Sequence, residues 1–212
     1  GNARLCSDGL VADVRDDAVL VLRAARAADV RVETLFRPVY DAADGSDGLV
    51  SLEVSPELAH DTAGTIAEAK RLWARLDRPN AMIKIPGTLA GLPAITEALA
   101  SGISVNVTLL FSVERYQAVM EAFMTGLERR VTAGQPIRQV TSVASFFVSR
   151  VDGRVDPMLD KAGDPKQLRS RIAIANAALA YRTFQESLET PRWKRLAGAG
   201  GQAQRPLWAS TS

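Results

Sequence analysis

The order of apolar and polar positions divides the chain into strands that alternate with helices. Apolar, β-branched segments predict strands at 49–54, 82–85, 103–110, 140–148 and 205–211. Apolar residues at helical spacing predict helices over 56–76, 89–100 and 112–133, one or two more ending near Leu188, and a helical turn over 193–197. Strands that alternate with helices of this length are typical of βαβ units on a parallel sheet.

The two faces of the predicted strands differ in polarity. Along the strand at 103–110, for example, Val105, Val107 and Leu109 alternate with polar residues. An open sheet with helices on both faces needs strands that are apolar on both sides. A closed (β/α)8 TIM barrel accounts for one polar face, because inward side chains share a single interior. The predicted inward set includes Glu53, Lys84, Asn106, Thr108 and Ser145.

The N-terminal part of the chain has a weaker pattern. Residues 1–33 are not assigned to a domain. Part of this segment is predicted to be a helix that begins at Asp16 or Asp17 and runs to about Ala28. Residues 36–40 are predicted to form a loop because Pro38 and a following run of turn residues interrupt any regular pattern. Residues 34–212 are assigned to one (β/α)-barrel domain. Five predicted strands are fewer than the eight of a barrel, so the barrel is predicted to be incomplete in this chain.

Composition narrows the function classes. The 212 residues are 47% hydrophobic, and the net charge of +2 is spread along the chain, which indicates neither nucleic-acid nor membrane binding. The single cysteine, Cys6, excludes an internal disulfide and suits a reducing compartment. The single histidine, His60, lies in a helical pattern, which disfavours a zinc site or a Ser-His-Asp triad. Without a spanning apolar run, a signal peptide or a nucleotide-binding glycine motif, the chain is predicted to be a soluble, cytoplasmic protein.

Lys84 is the strongest candidate for chemistry. It lies within the apolar run 81–87, where a buried ammonium is costly unless it is paired or deprotonated. A neutral amine in such a place can attack a carbonyl carbon, and Glu53 can carry protons during the addition. Arg150 directly follows a predicted strand, where barrels present their ligand-binding loops, and is a candidate to bind phosphate.

Each candidate also has a purely structural interpretation. Lys84 can extend from an edge strand to solvent, and Glu53 can serve only as its ion-pair partner. Asn106 and Thr108 can be structural hydrogen-bonding groups, and Arg150 an ordinary surface charge. The recurrence of polar residues on one face of several strands favours the catalytic interpretation.

Four motifs, in this order and with strand–helix spacing, resemble the transaldolase family, especially its actinobacterial-type members. They are Val-Ser-Leu-Glu53-Val, Ile-Lys84-Ile-Pro-Gly-Thr, Ser-Val-Asn106-Val-Thr108-Leu-Leu-Phe and Ser-Val-Ala-Ser145-Phe-Phe-Val-Ser-Arg150. The resemblance runs from about residue 34 to the end and includes the final Arg-Pro-Leu-Trp-Ala-Ser-Thr. It implies a TIM barrel of the class I aldolase type, without a cofactor, that acts in the pentose phosphate pathway. The partners it implies are small sugar phosphates.

The resemblance also implies roles for individual residues. Lys84 would form a Schiff base with a dihydroxyacetone unit taken from sedoheptulose 7-phosphate or fructose 6-phosphate and passed to an aldose phosphate. Glu53 and Thr108 would hold a catalytic water. The remaining matched residues would contact the substrate: Asn106 and Ser145 at its hydroxyls, and Arg150 at its phosphate. Phe147 stands where fructose-6-phosphate aldolases carry tyrosine, which favours transfer over simple cleavage.

The chain departs from the family pattern at both ends. The first-strand aspartate of the family and its Thr-Asn-Pro segment do not occur here, and Asp13, in Leu-Val-Ala-Asp-Val, is given no role. The family also continues beyond the final motif, so the chain is expected to be truncated at both ends and to self-associate through open sheet edges. Two alternatives stay open: a non-catalytic remnant that at most binds sugar phosphates, which the missing ends favour, and a class I aldolase of the fructose-6-phosphate type, which Phe147 disfavours.

Overall fold

The structure, a computed structural model, describes residues 4–7, 10–13, 19–22, 30–163 and 167–211. The strands are Arg4–Ser7 (β1), Leu10–Asp13 (β2), Val19–Leu22 (β3), Leu49–Glu53 (β4), Ala81–Pro86 (β5), Val105–Leu110 (β6), Ser142–Phe147 (β7) and Arg205–Ala209 (β8). The helices are Val30–Ala42 (α1), Thr62–Leu76 (α2), Gly91–Ala100 (α3), Val113–Thr132 (α4), Ser149–Lys161 (α5), Ile172–Leu188 (α6) and Pro191–Gly198 (α7). None of the helices in these described ranges is long and apolar enough to cross a membrane.

All eight strands belong to one sheet, in which each strand pairs with its neighbours in sequence. Strand β2 pairs antiparallel with both β1 and β3, whereas β3 to β8 are parallel. Within the described ranges no pairing joins β8 to β1, so the sheet is not closed there. The predicted α/β fold class is confirmed, with an incomplete barrel.

The first strands correct the prediction for the N-terminal segment. Residues 19–22 are predicted to be helical, but they form β3. This strand pairs with β4, with Val19 opposite Leu49 and Leu22 opposite Leu52. A four-residue Val-Leu-Val-Leu run is too short for its period to distinguish a helix from a buried strand, and pairing with β4 decides the outcome. The rest of the predicted helix, at 16–18 and 23–28, lies outside the described residues.

Two further boundaries differ from the predictions. Residues 36–40 belong to α1 rather than to a loop, although Pro38 lies inside that helix. Proline in a helix interior costs about 3 kcal/mol, and tertiary packing offsets this cost, because Tyr40 packs against Leu49, Met82 and Val143 of the sheet. The helix expected from Pro56 is only a 3-10 turn, Pro56–Leu58. Helix α2 begins at Thr62 because the Asp61 carboxylate accepts a hydrogen bond of 2.9 Å from the Gly64 amide.

The apolar core has two parts, one on each face of the sheet. The outer part joins the strands to α2, α3 and α4, and its strand residues include Ile83, Ile85, Val105, Val107, Ala144 and Phe146. Helices α3 and α4 approach so closely that a Cβ atom on Gly126 would lie 2.7 Å from Leu99 Cβ. The inner part consists of Leu49, Met82 and Val143, with Tyr40 and Leu207 packed against them. This inner cluster lies on the same strands and faces as the polar candidate residues, nearer the start of each strand.

Candidate active site

Lys84 and Glu53 lie side by side on neighbouring parallel strands. The register of β4 and β5 places Glu53 opposite Lys84, so both side chains leave the same face of the sheet. Lys84 Nζ is 3.3 Å from Glu53 Oε2, and the two side chains are 12% and 25% exposed. A largely buried amine is thus in direct contact with a carboxylate that can accept or return a proton.

A chain of hydrogen bonds runs across the interior beside this pair. Asn106, opposite Lys84 in the register of β5 and β6, accepts a hydrogen bond of 2.7 Å at Oδ1 from Ser145 Oγ. The Asn106 amide then donates from Nδ2 to Ser51 Oγ over 3.0 Å. All three residues are buried, and the two bonds fix the orientation of the amide.

Ser51 was absent from the residues singled out in the sequence. The signal for it is its position two residues before Glu53, which puts it on the same face of β4. A serine in a strand is too common to be selected on that ground alone. Only the contact with Asn106 distinguishes Ser51 from other inward-facing polar residues.

Thr108 follows Asn106 on the same face of β6. The residue is 1% exposed, and its hydroxyl has no hydrogen-bond partner among the described residues. A buried hydroxyl without a protein partner is unfavourable and commonly serves a bound water or ligand. The Thr108 hydroxyl is therefore available to an oxygen atom inside the site.

A β-bulge follows Thr108 and corrects one prediction. The register between β6 and β7 shifts between Val107 and Leu110, and Leu109 has a left-handed φ of 61°. Leu109, expected on the helix-facing side, is exposed, and Leu110 is buried in its place. The extra residue of a bulge interrupts the strict alternation of side chains, which the sequence pattern could not reveal.

Phe147 and Arg150 lie at the carboxyl end of β7, the end at which barrel active sites are built. The Arg150 guanidinium carbon lies 4.8 Å from the centroid of the Phe147 ring, a cation–π contact. The ring of Phe111, which follows β6, lies 5.1 Å from the Phe147 ring. Phe147 is buried, whereas Arg150 is exposed and can reach an anionic group outside the strand ends.

A pair of serines joins the ends of β7 and β8 next to Arg150. The Ser149 amide donates to the Ser210 carbonyl over 2.7 Å, and the two hydroxyl oxygens are 2.9 Å apart. Ser210 has a left-handed φ of 54°. The sequence predicts no role for either serine, because the contact joins residues 61 positions apart.

His60 lies in an exposed turn before α2 rather than within a helix, and so takes no part in the inward-facing group. In the part of the chain that the structure describes, no three His, Cys, Asp or Glu side chains are grouped to hold a metal ion. Among the side chains that the structure describes, the strands bring together the Lys84 amine, the Glu53 carboxylate, the Asn106 amide and several hydroxyls.

A sheet of mostly parallel strands that holds a lysine against a carboxylate can support amine catalysis through a Schiff base. The family model described as transaldolase/fructose-6-phosphate aldolase matches residues 4–212. The chain belongs to this family, which confirms the resemblance seen in its motifs. The match begins at residue 4 and thus extends further toward the N-terminus than those motifs do.

Curated relatives from actinobacteria give the same assignment. The chain is 61% identical over 194 residues to a transaldolase of Parafrankia sp., and the match covers 90% of the chain and 53% of the relative. It is 58% identical over 193 residues to the transaldolase of Acidothermus cellulolyticus, covering 90% of the chain and 52% of the relative. The chain is 55% identical over 210 residues to the transaldolase of Thermobifida fusca, and the match covers 96% of the chain and 57% of the relative. The chain thus spans about half the length of the curated relatives it matches.

Proposed function

We propose that this site transfers a dihydroxyacetone unit from a ketose phosphate to an aldose phosphate through a Schiff base on Lys84. The observation that carries the proposal is the contact of 3.3 Å between the Lys84 amine and the Glu53 carboxylate inside the sheet. Membership of the family and the transaldolase names of the relatives support it. Sugar phosphates are the substrates that follow from this reaction.

In the first stage, the Lys84 nitrogen adds to the C2 carbonyl carbon of the ketose. Glu53 takes the proton that the nitrogen loses, and the carbinolamine hydroxyl leaves as water once it is protonated. Thr108, with its buried hydroxyl free of protein partners among the described residues, would hold the water that relays this proton together with Glu53. The product of this stage is a C=N⁺ bond between the sugar and Lys84.

In the second stage, the C=N⁺ bond draws electrons from the C3–C4 bond of the sugar. That bond breaks as the C4 hydroxyl gives its proton, through the held water, to the Glu53 carboxylate; the aldose phosphate then leaves as an aldehyde, and a three-carbon enamine stays on Lys84. The enamine carbon next attacks the aldehyde carbon of the acceptor, whose oxygen takes up this proton, and hydrolysis of the new Schiff base restores the amine. Asn106 and Ser145, oriented by their bond of 2.7 Å, would bind hydroxyls of the three-carbon unit.

Arg150 would bind the phosphate of the sugar from the mouth of the site. Its guanidinium lies over the Phe147 ring, which leaves N–H groups free to bind phosphate oxygens. The phenyl ring of Phe147 carries no hydroxyl that could donate a proton to the enamine. This supports transfer over the simple cleavage of a fructose-6-phosphate type aldolase, the second candidate function.

Trapping of the intermediate tests the proposal. Fructose 6-phosphate and borohydride should add a reduced dihydroxyacetone unit to the peptide that contains Lys84. The exposed Lys194, paired with Glu189 at 2.8 Å, is the internal control and should stay unlabelled. Label on another lysine would refute the assignment of Lys84, and the absence of label would favour a remnant that only binds sugar phosphates.

A second measurement separates the two activities. With erythrose 4-phosphate as acceptor, a transaldolase forms sedoheptulose 7-phosphate from fructose 6-phosphate, whereas an aldolase mainly releases free dihydroxyacetone. We infer a cytoplasmic location for this reaction, which the single cysteine of the chain supports.

A further inference from the structure

Phe111 owes its position to the bulge in β6. With regular alternation from Thr108, Leu110 would face the interior and Phe111 would face the helices. The bulge reverses this order, because Leu110 is buried in the helix-side core and Phe111 lies against Phe147. The bulge requires a left-handed φ of 61° at Leu109, a conformation that leucine rarely adopts. Bulges and strained residues of this kind are concentrated near functional sites, where they redirect a side chain.

A second contact holds Phe111 from the other side. Asn176, on α6, donates from Nδ2 to the Phe111 carbonyl over 2.8 Å. The Phe111 and Phe147 rings are 5.1 Å apart, with an angle of 31° between their planes. Phe111 is 41% exposed, whereas Phe147 is 9% exposed. Phe111 is thus the outer, and Phe147 the inner, layer of an aromatic wall at the mouth of the site.

We propose that Phe111 is a specificity-determining residue, which shields the Lys84-bound three-carbon unit from bulk water and so favours its transfer to an acceptor sugar. This inference rests on the proposed function. Closing an apolar wall over a reactive intermediate suppresses its side reactions with water. Arg150, 4.8 Å from the Phe147 ring, is the neighbouring cation that faces this wall.

The side reaction to be suppressed is hydrolysis. In it, the enamine carbon takes a proton from water instead of bonding to the acceptor aldehyde, which regenerates the C=N⁺ bond. Water then adds to that bond, the C–N bond breaks, and free dihydroxyacetone leaves while the amine of Lys84 is restored. The net change is the addition of one water molecule to the enamine, without any oxidant or reductant.

The test compares two rates for each variant. One is release of free dihydroxyacetone from fructose 6-phosphate without an acceptor, and the other is formation of sedoheptulose 7-phosphate with erythrose 4-phosphate. In Phe111→Ala, the ratio of release to transfer should rise roughly 2- to 10-fold, the range that loss of one aromatic pair gives. Phe111→Leu keeps an apolar side chain without a proton-donating hydroxyl and should raise the ratio less than Phe111→Ala. Leu179→Ala, at an exposed apolar position on α6, is the matched control and should not change it.

A second variant keeps the Phe111 ring but removes its support. Asn176→Ala should change the ratio in the same direction by a smaller factor, with the exposed Gln185→Ala as its control on the same helix. If the ratio is unchanged in both Phe111→Ala and Asn176→Ala while borohydride still labels Lys84, the role of Phe111 is wrong and the proposed function still stands. Absence of label on Lys84 in the unmodified chain would overturn the proposed function, and this inference with it.

Discussion

Glu53 can contribute to the site as a base as well as a charged partner of Lys84, from which it is 3.3 Å away. Glu53→Gln keeps the size of the side chain and a hydrogen-bond acceptor but removes the proton shuttle. We expect kcat for transfer to fall by roughly 10²-fold or more, while thermal unfolding stays close to that of the unmodified chain. Glu57→Gln, at an exposed position in the following turn, is the control. Near-normal turnover of Glu53→Gln would leave Glu53 with a structural role only.

Removal of the Thr108 hydroxyl should affect the free energy of unfolding and the turnover rate differently. Thr108→Val removes a buried hydroxyl that has no partner among the described residues, so the free energy of unfolding should stay the same or rise by up to about 1 kcal/mol. Under the proposed mechanism, turnover should nevertheless fall by roughly 10-fold or more, because the water that relays the proton would then be held by Glu53 alone. Urea unfolding and steady-state rates measure the two effects.

The matched control for Thr108 is Thr141, whose buried hydroxyl bonds to Ser104 Oγ over 3.2 Å. Thr141→Val breaks this bond and should cost about 1 kcal/mol of stability with little change in turnover. A Thr108→Val variant that loses stability but keeps its turnover would assign the Thr108 hydroxyl to the structure rather than to the reaction.

The inward-facing position of a residue was predictable from the sequence where the alternation of side chains along one strand determines it. The inward positions of Glu53, Lys84 and Asn106 follow from period two within each strand, and registers between parallel strands bring them together. Ser51 and the bulge at Leu109 were not predictable, because both depend on contacts between strands. A register shift between two strands cannot be seen in the apolar and polar pattern of either strand alone.

At the scale of elements, the sequence predicted β4 to β8 because each has a β-branched or apolar run between clear turn signals. It failed for β3, whose four residues are too few to define a period, and for α1, where Pro38 suggested a break. In both segments, contacts with the rest of the sheet outweigh local propensity. The helix boundaries at Asp61 and Ser112 agree with side-chain capping, although only the second was predicted.

Helix α7 is fastened to α4 by one arginine. Arg192 donates from Nε and Nη2 to the Glu128 carboxylate, each over 2.7 Å, and from Nη1 to Glu121 over 2.5 Å. Trp193, the next residue, stacks on Phe123 at 6.1 Å. Arg192→Met should therefore lower the free energy of unfolding by about 1–2 kcal/mol, a figure reduced for partial exposure. The control is Arg182→Met, which removes an exposed pair on α6 and should change stability by less than about 0.5 kcal/mol.

The same arginine makes stability depend on pH. Hydrogen bonds from Arg192 lower the pKa of Glu128 from its usual 4.5. A carboxyl group with a lowered pKa in the folded state stabilises the fold above its unfolded pKa and loses this effect as the pH falls through the folded value. Below about pH 4.5, unfolding monitored by denaturant should become easier, and Arg192→Met should flatten this slope. Equal slopes for both proteins would refute the contribution of this pair.

For the whole molecule, the open side of the sheet is the main consequence of the topology. Within the described ranges, β8 has a strand partner on one side only, and the neighbouring Tyr181 and Trp208 are 46% and 36% exposed. Unpaired edges beside apolar surface favour association between copies. We expect the 212-residue chain to self-associate in light scattering as its concentration rises, and Tyr181→Lys to reduce the association. Arg182→Lys, at the next position, should leave it unchanged. A chain that stays monomeric at every concentration would contradict this prediction.

Every strand of the sheet pairs with its immediate neighbours in sequence, and this has a consequence for synthesis on the ribosome. Each new strand meets a partner that has already left the exit tunnel, so the sheet can grow in the order in which the chain is made. The contact between Lys84 on β5 and Glu53 on β4 can therefore form before β6, β7 and β8 exist. The growing sheet presents a fresh edge at each step, and that edge is the surface on which a chaperone can act until the next strand arrives.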